Sequence, residues 1–496
     1  MALTATATPK VQADICDAFG VIPENCVRTA FYRPNLQFVF SPTTPTERDA
    51  KLIKAIRSQA PGATIVYATI QKTTVEVAET LKKAGIDARS YHAGMTHDAR
   101  KETQEWFMQE SKEPRVVVAT IAFGMGVDKR DIRYVYHYNL PKSLEGYAQE
   151  VGRAGRDGED SRCELFCCID DIPQLEAFAY CGSPSKCALQ RVLEEVFRRQ
   201  DGQLCFAGAE RALSHYEMAR AHDLTETTVR MLLAFLDIYH NLITQGTPRY
   251  CVYKVKPTNG SHPSAVPSLL MTRSGDSAAG LLLCTHCAVM KTWAHIDVGA
   301  AASRGASSRE ALLAVITRLE QQGLLEVHAS QVQYVYRIQK TPSSLTEIAE
   351  HEFQRFQARE KQELARLSEV LEFITAKDCH AKILTEHFEG KGGPSHASNR
   401  LPFPCGTCQY CKSGFAISLP KQRIVKIDPD LWKLLESNAE LPRDDPHLVA
   451  RFALGFSSPR IAKLKLNKHQ HFGLLEGTSY EGLMAFIMKT IFRSQT

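Results

Sequence analysis

The chain has 496 residues, of which 44% are hydrophobic and 23% charged, a composition typical of a folded protein with about three or four domains. Lys and Arg number 60 and Asp and Glu 55, so the net charge of +5 permits a nucleic-acid partner without indicating one. No apolar run approaches the roughly 20 residues that span a bilayer, and residues 1–20 lack the pattern of a secretory signal. We therefore expect a reducing compartment, no membrane partner, and 15 cysteines that bind metal or remain free thiols.

The first third of the sequence alternates between strand-like and helix-like segments. Strands are predicted at 63–67, 89–92 and 116–119, and helices at 73–84 and 99–109. Val75, Ala78 and Leu81 should form the buried face of the first of these helices, and Gly85 should end it. The strand Val116–Ala119 is apolar on both faces, as expected for a parallel strand covered by helices. The pattern predicts an α/β fold with a parallel sheet.

Beyond about residue 175 a helix followed by a candidate hairpin occurs twice. Helical spacing of apolar residues indicates the two helices, with the buried positions Val229, Leu232, Leu233, Leu236 and Leu312, Val315, Ile316, Leu319. Thr225 and Ser307 are the predicted N-caps, and Glu310 would complete a capping box in the second copy. Residues 324–338 alternate in polarity and are the better candidate for a two-stranded wing. Two winged-helix-like units are one interpretation, and two ordinary helical hairpins are the other.

The remaining sequence predicts a long charged helix over 343–376, a Gly/Pro/Ser-rich loop, a cysteine cluster and a small helical unit. That last unit carries a basic run formed by Arg460, Lys463, Lys465 and Lys468. The run is a candidate DNA contact, with a solvated surface as the alternative. The predicted domain ranges are 1–30, 31–175, 176–342, 343–420 and 421–496.

The segment Gln149–Gly158 is the most informative stretch of the sequence. On a helix, Gln149, Arg153 and Arg156 would project from one face, and the glycines between them would keep that face low. Two forked, permanently charged donors suit an oxyanion such as a transferring γ-phosphoryl group. A solvated arginine pair at a helix end is the alternative, but it would give a helix little reason to carry two glycines.

Two glycine-bearing loops follow predicted strands. Residues 118–128 lead from a buried strand through Gly124 and Gly126 to Asp128, at the edge of the sheet where α/β proteins bind ligands. Tyr91–Met95 follows another strand in the same way. Either loop alone is weak support for a site, since turns use glycine widely.

Cys405, Cys408 and Cys411 form a C-x-x-C-x-x-C motif, and Cys379 lies upstream. Four thiolates make a closed tetrahedral shell for a structural Zn²⁺ ion, and free cysteines in a loop are the alternative. Cys284 and Cys287 form a weaker pair. A second site there would need ligands from Cys181, Cys187, Cys205 or Cys251, whose spacing is irregular.

Taken together, these segments resemble the RecQ family of superfamily 2 DNA helicases. The matching segments, in family order, are residues 1–8 (motif III), Phe31–Leu36 (the start of the second motor lobe), Ile65–Tyr67 (motif IV), Phe123–Asp128 (motif V) and Gln149–Gly158 (motif VI). The cysteine cluster resembles the RecQ zinc module. Because winged-helix-like units separate motif VI from the cysteines, the order is similar to that of the subfamily associated with Rothmund–Thomson syndrome.

The resemblance implies an α/β RecA-like helicase C-terminal lobe, then winged-helix-like units and a zinc-binding helical module. It implies an ATP-dependent 3′-to-5′ DNA helicase of the nucleus that acts in replication, recombination and repair. Gly126, Asp128 and Gln149 would face ATP and its Mg²⁺ ion, and Arg153 and Arg156 would be catalytic. The residues expected to contact DNA are Thr4, Thr6, His92, Thr120, Lys463, Lys465 and Lys468.

The sequence also departs from the family pattern. It contains neither the phosphate-binding Gly-x-x-x-x-Gly-Lys-Ser/Thr loop nor the Asp-Glu-x-His box of the first lobe, and it starts inside motif III. We therefore expect an N-terminally truncated chain in which residues 1–30 are the remnant of that lobe, and no ATP hydrolysis by the chain alone. The alternative function is a non-catalytic zinc and winged-helix DNA-binding protein.

Overall fold

The structure, a computed structural model, describes residues 2–4, 6–109, 114–124, 127–199, 201–303, 307–391, 394, 403–420, 427–436, 440–476 and 478–491. The strands are β1 Leu36–Pro42, β2 Ala63–Tyr67, β3 Ala88–Tyr91, β4 Val116–Ala119, β5 Ile132–His137, β6 Ser161–Cys167, β7 Glu210–Leu213, β8 Ile243–Gln245, β9 Arg249–Pro257, β10 Cys287–Val289, β11 Ala294–Asp297 and β12 Leu325–Ile338.

The α-helices are α1 Pro9–Phe19, α2 Pro45–Arg57, α3 Gln71–Lys83, α4 His97–Met108, α5 Leu144–Val151, α6 Ile172–Gly182, α7 Lys186–Phe197, α8 His215–His222, α9 Glu226–Ile238, α10 Val266–Arg273, α11 Ser277–Thr285, α12 Val298–Ser303, α13 Arg309–Gln321, α14 Leu345–Ile374, α15 His380–Glu389, α16 Gln409–Ser413, α17 Pro429–Glu436, α18 Pro446–Leu454, α19 Pro459–Lys463 and α20 Tyr480–Thr490. None of the described helices combines the length and the apolar character needed to cross a membrane.

The chain divides into two compact units. The first unit is formed by Met1–Tyr180, Arg359–Lys426 and Gly477–Tyr480, and the second by Cys181–Ala358, Ile427–Glu476 and Glu481–Thr496.

The first unit is built on a six-stranded sheet in the order β1-β6-β5-β2-β4-β3, in which every neighbouring pair is parallel. Val116, Val117 and Val118 on β4 are fully buried, as the two-sided apolar pattern predicts. Gly85 follows α3 with a φ of +77°, so its predicted role at the helix end is also confirmed. Val75 is instead exposed, and Val77 takes the buried position beside Ala78 and Leu81.

The second unit contains an antiparallel sheet in the order β10-β11-β9-β12-β7, with β8 also paired to β12. Residues 324–338 do not fold back into a two-stranded wing: they form the single strand β12, which pairs first with β9 and then with β7 and β8. Alternating polarity identifies a strand, but it does not identify the partner strands, which here lie far earlier in the sequence. The pairing with β9 is interrupted at Gln331, opposite Cys251, without a change of register, and Gln331 has a φ of +53°.

The two predicted amphipathic helices of this unit form as α9 and α13, with all eight predicted apolar residues buried. The Thr225 side chain caps α9 by accepting a hydrogen bond from the Thr228 backbone N–H at 3.0 Å. The N-cap of α13 is Ser308 rather than Ser307, so Glu310 is one position too early to complete a capping box.

Candidate functional site

Motif VI begins on α5 and continues beyond it. The helix ends at Val151, so Gln149 lies on its last turn while Arg153 and Arg156 lie in the following turns. The three residues therefore do not share one helix face, and this part of the prediction is wrong. The glycines serve internal packing: Gly155 has a φ of +55°, and a Cβ atom there would lie 2.4 Å from Asn35 Nδ2. At Gly152 a Cβ atom would meet the Ala148 carbonyl oxygen at 2.9 Å.

Both arginines contact the motif V loop that follows β4. Arg153 Nη1 donates to the Gly124 carbonyl oxygen at 2.6 Å, and any side chain at Gly124 would collide with this guanidinium group. Arg156 Nη1 forms an ion pair with Asp128 Oδ1 at 2.9 Å, and both of these side chains are open to solvent. Gly126, predicted to face the nucleotide, lies outside the described residues.

Arg33 and Asn35 hold in place the motif VI loop that follows α5. Arg33 Nη2 donates to the carbonyl oxygens of Ala154 and Gly155 at 3.1 and 2.6 Å. Asn35 Nδ2 donates to the carbonyl oxygens of Gly155 and Glu159 at 2.8 and 2.9 Å. Burial lowers the pKa of the Arg33 guanidinium from its ordinary value. Sequence reasoning identified Phe31–Leu36 as a segment but missed these two roles, since nothing local connects the segment to carbonyl groups 120 residues away.

A cavity of about 980 Å³ brings several predicted site residues together. Its lining includes Thr4, Thr6, Gln149, Arg153 and Arg156. Gln149 and Arg156 are both exposed, so a ligand in the cavity can reach them. Asp128 is not part of the lining, but its ion pair with Arg156 connects it to the cavity. The cavity thus brings motif VI together with Thr4 and Thr6 of motif III, about 145 residues earlier in the sequence.

His92 and Thr120 follow the neighbouring parallel strands β3 and β4. The Thr120 backbone N–H donates to the Tyr91 carbonyl oxygen at 3.2 Å, which places the two residues at the same edge of the sheet. Thr120 is buried, and its Oγ1 accepts from the Ala122 backbone N–H at 3.4 Å. His92 is half-buried, and its Nδ1 has no hydrogen-bond partner among the described residues.

The four predicted zinc ligands come together. The sulfur atoms of Cys379, Cys405, Cys408 and Cys411 all lie within 4.8 Å of one another, and those of Cys405 and Cys411 are 3.9 Å apart. Zn–S bonds of about 2.3 Å give a tetrahedron with edges of about 3.8 Å. Backbone N–H groups also point at sulfur: Cys408 N–H to Cys405 Sγ at 3.3 Å, and Cys405 N–H to Cys379 Sγ at 3.4 Å. The donor set therefore fits a structural Zn²⁺ ion.

The two histidines near the cysteines have other contacts. His380 is buried between the rings of Phe40 and Phe373, and burial lowers its pKa to about 4. His387 Nε2 lies 3.2 Å from Glu145 Oε1, and this contact is the main reason that the pKa of Glu145 falls to about 2. The described residues add no further ligand to Cys284 and Cys287, so a second zinc site there gains no support.

The end of α15 holds the chain segment that precedes β1. Arg28 Nη2 donates to the carbonyl oxygens of Phe388 and Glu389 at 3.0 and 2.9 Å, as a cation at a helix C-terminus does. The Phe31 backbone N–H donates to Glu389 Oε1 at 2.6 Å, and the Phe31 and Phe388 rings stack at 4.3 Å. The helix that begins beside Cys379 therefore positions the residues just before the sheet.

The basic run in the second unit divides into structural and exposed residues. Arg460 Nη1 pairs with Asp444 Oδ2 at 2.9 Å, and nearby Arg451 is buried in an ion pair with Asp223 at 2.7 Å. Lys463, Lys465 and Lys468 are exposed, and none has an ion-pair partner in the part of the chain that the structure describes. These three lysines are the charges left for an external ligand.

Comparison with known proteins defines the class of the first unit. Residues 47–158 match the family model of the helicase conserved C-terminal domain. This match covers α2 to motif VI and agrees with the parallel sheet. The first unit thus contains a RecA-like helicase C-terminal domain, as predicted.

The chain is similar to several RecQ helicases. The ATP-dependent DNA helicase RecQ of Bacillus subtilis is 44% identical over 172 residues, which are 35% of this chain and 28% of the relative. The RecQ-like DNA helicase BLM of Xenopus laevis is 41% identical over 177 residues, 35% of this chain and 13% of the relative. The ATP-dependent DNA helicase Q-like 5 of Arabidopsis thaliana is 26% identical over 503 residues, 99% of this chain and 52% of the relative.

The chain thus spans about half or less of the length of these curated relatives. Together with the domain match, these alignments show that the chain is similar to RecQ helicases.

Proposed function

We propose that this chain is the second-lobe and C-terminal part of an ATP-dependent 3′-to-5′ DNA helicase of the RecQ type. The observation that carries the proposal is the common cavity of Thr4, Thr6, Gln149, Arg153 and Arg156, which lies beside the motif V loop of a helicase-type sheet. The whole protein would act in DNA replication, recombination and repair, and it would be located in the nucleus. The resemblance to RecQ proteins supports this assignment.

The residues of this chain would complete a nucleotide site rather than form one alone. ATP and Mg²⁺ would supply the transferable phosphoryl group and its charge neutralisation, and Gln149 and Asp128 would orient that group. Arg153 and Arg156 would stabilise the negative charge that develops during transfer, a role that is worth about 10³–10⁵ in rate. Arg33 and Asn35 are positioning residues, because they fix the loop that carries both arginines.

The finer proposal is that the chain belongs to the Rothmund–Thomson-type RecQ subfamily. Its domains would be a first-lobe remnant at 1–30, the second lobe at 31–175, winged-helix-like units at 176–342, a zinc module at 343–420 and a basic unit at 421–496. Support comes from the buried helices α9 and α13 beside the antiparallel sheet, and from the alignment of almost the whole chain with one RecQ-type relative. In this arrangement the exposed lysines would bind duplex phosphates.

The proposal can be tested with a fusion protein in which the nucleotide-binding lobe of a RecQ relative precedes this chain. We expect DNA-stimulated, Mg²⁺-dependent ATP hydrolysis by the fusion and background hydrolysis by residues 1–496 alone, because the chain lacks a phosphate-binding lysine loop. Strand separation should require a 3′ single-stranded tail on the duplex. A folded fusion without ATPase activity, or one that unwinds only 5′-tailed duplexes, would contradict the proposal.

A non-catalytic zinc and winged-helix DNA-binding protein is the second candidate, and the three unpaired lysines favour it independently of the motor. Changing Lys463, Lys465 and Lys468 together to Ala should weaken duplex binding by the full chain on every sequence alike. Each phosphate contact contributes about 0.9 log units per log unit of salt, so the salt slope should flatten by up to about three units. Fluorescence anisotropy across a salt series measures both quantities.

A matched triple variant controls for net charge. Lys54, Lys82 and Lys83 are exposed on α2 and α3 of the first unit, and changing them to Ala removes the same three charges. We expect this variant to keep the parent's affinity and slope. If the two triple variants behave alike, the lysines of the basic run are a solvated surface rather than a DNA contact.

A further inference from the structure

A second group of metal-binding side chains lies in the second unit, far in sequence from the cysteines. It consists of His240, which follows α9, and of His351 and Glu352 on α14. One donor atom of each lies within 4.8 Å of the others. Glu352 is fully buried, whereas the His351 side chain is 56% exposed, so the group has a buried carboxylate and an open side.

The three donors lie close enough together to share one metal ion. His240 Nε2 is 2.7 Å and His351 Nδ1 is 3.3 Å from the same oxygen, Glu352 Oε1. The two imidazole rings meet edge to face at 5.3 Å, so both nitrogens approach the carboxylate from different directions. Ligands at about 2.0–2.2 Å from a Zn²⁺ ion in tetrahedral geometry lie about 3.3–3.6 Å apart. A small local adjustment would therefore place one ion among the three donors.

The other carboxylate oxygen is held differently. Glu352 Oε2 is buried and has no hydrogen-bond partner among the described residues, and Arg355 Nε approaches it only to 3.9 Å. The Arg355 guanidinium instead lies over the ring of Tyr239 at 3.7 Å. The carboxylate thus keeps one oxygen for the histidines and is only partly neutralised by the arginine, as expected of a ligand that can still bind a cation.

We propose that His240, His351 and Glu352 bind a Zn²⁺ ion, or a similar dication that accepts imidazole ligands, with water in the fourth position on the exposed side. The ion would join the end of α9 to α14 within the second unit. The site is independent of ATP hydrolysis and of the four cysteines. It should bind Zn²⁺ more weakly than the cysteine site, because two neutral imidazoles and one partly neutralised carboxylate replace four thiolates.

The experiment measures zinc binding to the full chain by titration against a chromophoric chelator, together with Co²⁺ absorption. We expect two equivalents: a tight one that gives Co²⁺ the intense charge-transfer bands of thiolate ligands, and a weaker one without such bands. His240→Ala and His351→Ala should each weaken the second equivalent by more than about 100-fold, since losing a ligand exceeds the 10–100-fold cost of losing an outer hydrogen-bond partner. Both variants should keep the thiolate bands.

Two control variants identify the source of the second equivalent. His328→Ala removes an exposed histidine that pairs with a glutamate, Glu326 at 3.0 Å, but that belongs to no three-donor group among the described residues. It should keep both equivalents. Cys287→Ser should also keep both. A parent chain that binds one equivalent only, or a second equivalent that survives both His240→Ala and His351→Ala, would overturn the proposal. Because His351 is largely exposed, its variant stays informative even if His240→Ala fails to fold.

Discussion

Replacing Arg156 by Ala is expected to lower kcat for ATP hydrolysis by about 10³–10⁵ in a fusion of this chain with a nucleotide-binding lobe, while ATP binding largely survives. The reason is geometric. Arg156 lines the cavity that contains Gln149 and Arg153, and its exposed ion pair with Asp128 leaves guanidinium donors available. A charge that is held beside the phosphate before the reaction stabilises the transition state most. Steady-state kinetics and equilibrium binding of a nucleotide analogue separate the two effects.

Two further variants show whether position or charge is responsible. Asp128→Asn removes the anchor but leaves the guanidinium, so we expect a smaller loss of kcat than for Arg156→Ala. Arg133→Ala removes a neighbouring ion pair with Asp157 that is not part of the cavity lining, and it should leave kcat close to that of the parent. If Arg156→Ala weakens ATP binding and leaves kcat unchanged, Arg156 binds the ground state and is not a catalytic residue.

Replacing Cys408 by Ser is expected to remove the tightly bound zinc and to destabilise the first unit strongly. Cys408 is fully buried, and its sulfur is one of four that lie within 4.8 Å of one another. In such sites the metal-binding energy is folding energy, with apparent values of about 10–16 kcal/mol in zinc-finger peptides at pH 7. Elemental analysis should show the loss of one zinc per chain, and thermal unfolding a large decrease in Tm.

The structure also predicts which residues lose protection from hydrogen exchange when the zinc is lost. The helix α15 starts beside Cys379 and ends on Arg28 and Phe31, so loss of zinc should expose the backbone N–H of Phe31 to hydrogen exchange. Cys284→Ser is the control, because Cys284 lies outside the four-sulfur cluster. It should keep the zinc and the protection of residues 28–33. Zinc content that is unchanged by Cys408→Ser would rule out the four-cysteine site.

Much of the local structure could be predicted from the sequence. The buried faces of α9 and α13 follow from apolar spacing, because a helix must bury one stripe whatever lies opposite. The two-sided apolar run of β4 indicated a covered parallel strand for the same reason. The spacing of Cys405, Cys408 and Cys411 indicated a zinc site, since few other arrangements bring thiols so close in a reducing compartment.

The errors arose where a distant partner determines the local conformation. Motif VI was predicted as a helix through Arg156, yet the helix ends at Val151, because Gly155 takes a positive φ against Asn35 and its carbonyl oxygen accepts from Arg33. The predicted wing at 324–338 became one strand because β9 offers a longer ladder than a hairpin within 15 residues would. In both cases the deciding hydrogen bonds join residues that are far apart in the sequence.

The sequence by itself determined most of the predicted helices and strands, which motifs carry charge, and that Cys405, Cys408 and Cys411 lie close together, because these depend on neighbours within a few residues. Only the tertiary structure decided that Arg33 and Asn35 hold the motif VI loop and that His240 contacts Glu352. It also decided that Arg451 pairs with Asp223 and Arg460 with Asp444, so neither arginine is free for an external ligand. Contacts of this kind depend on the path of the whole chain, and periodicity and spacing carry no information about which distant groups satisfy a buried charge or carbonyl.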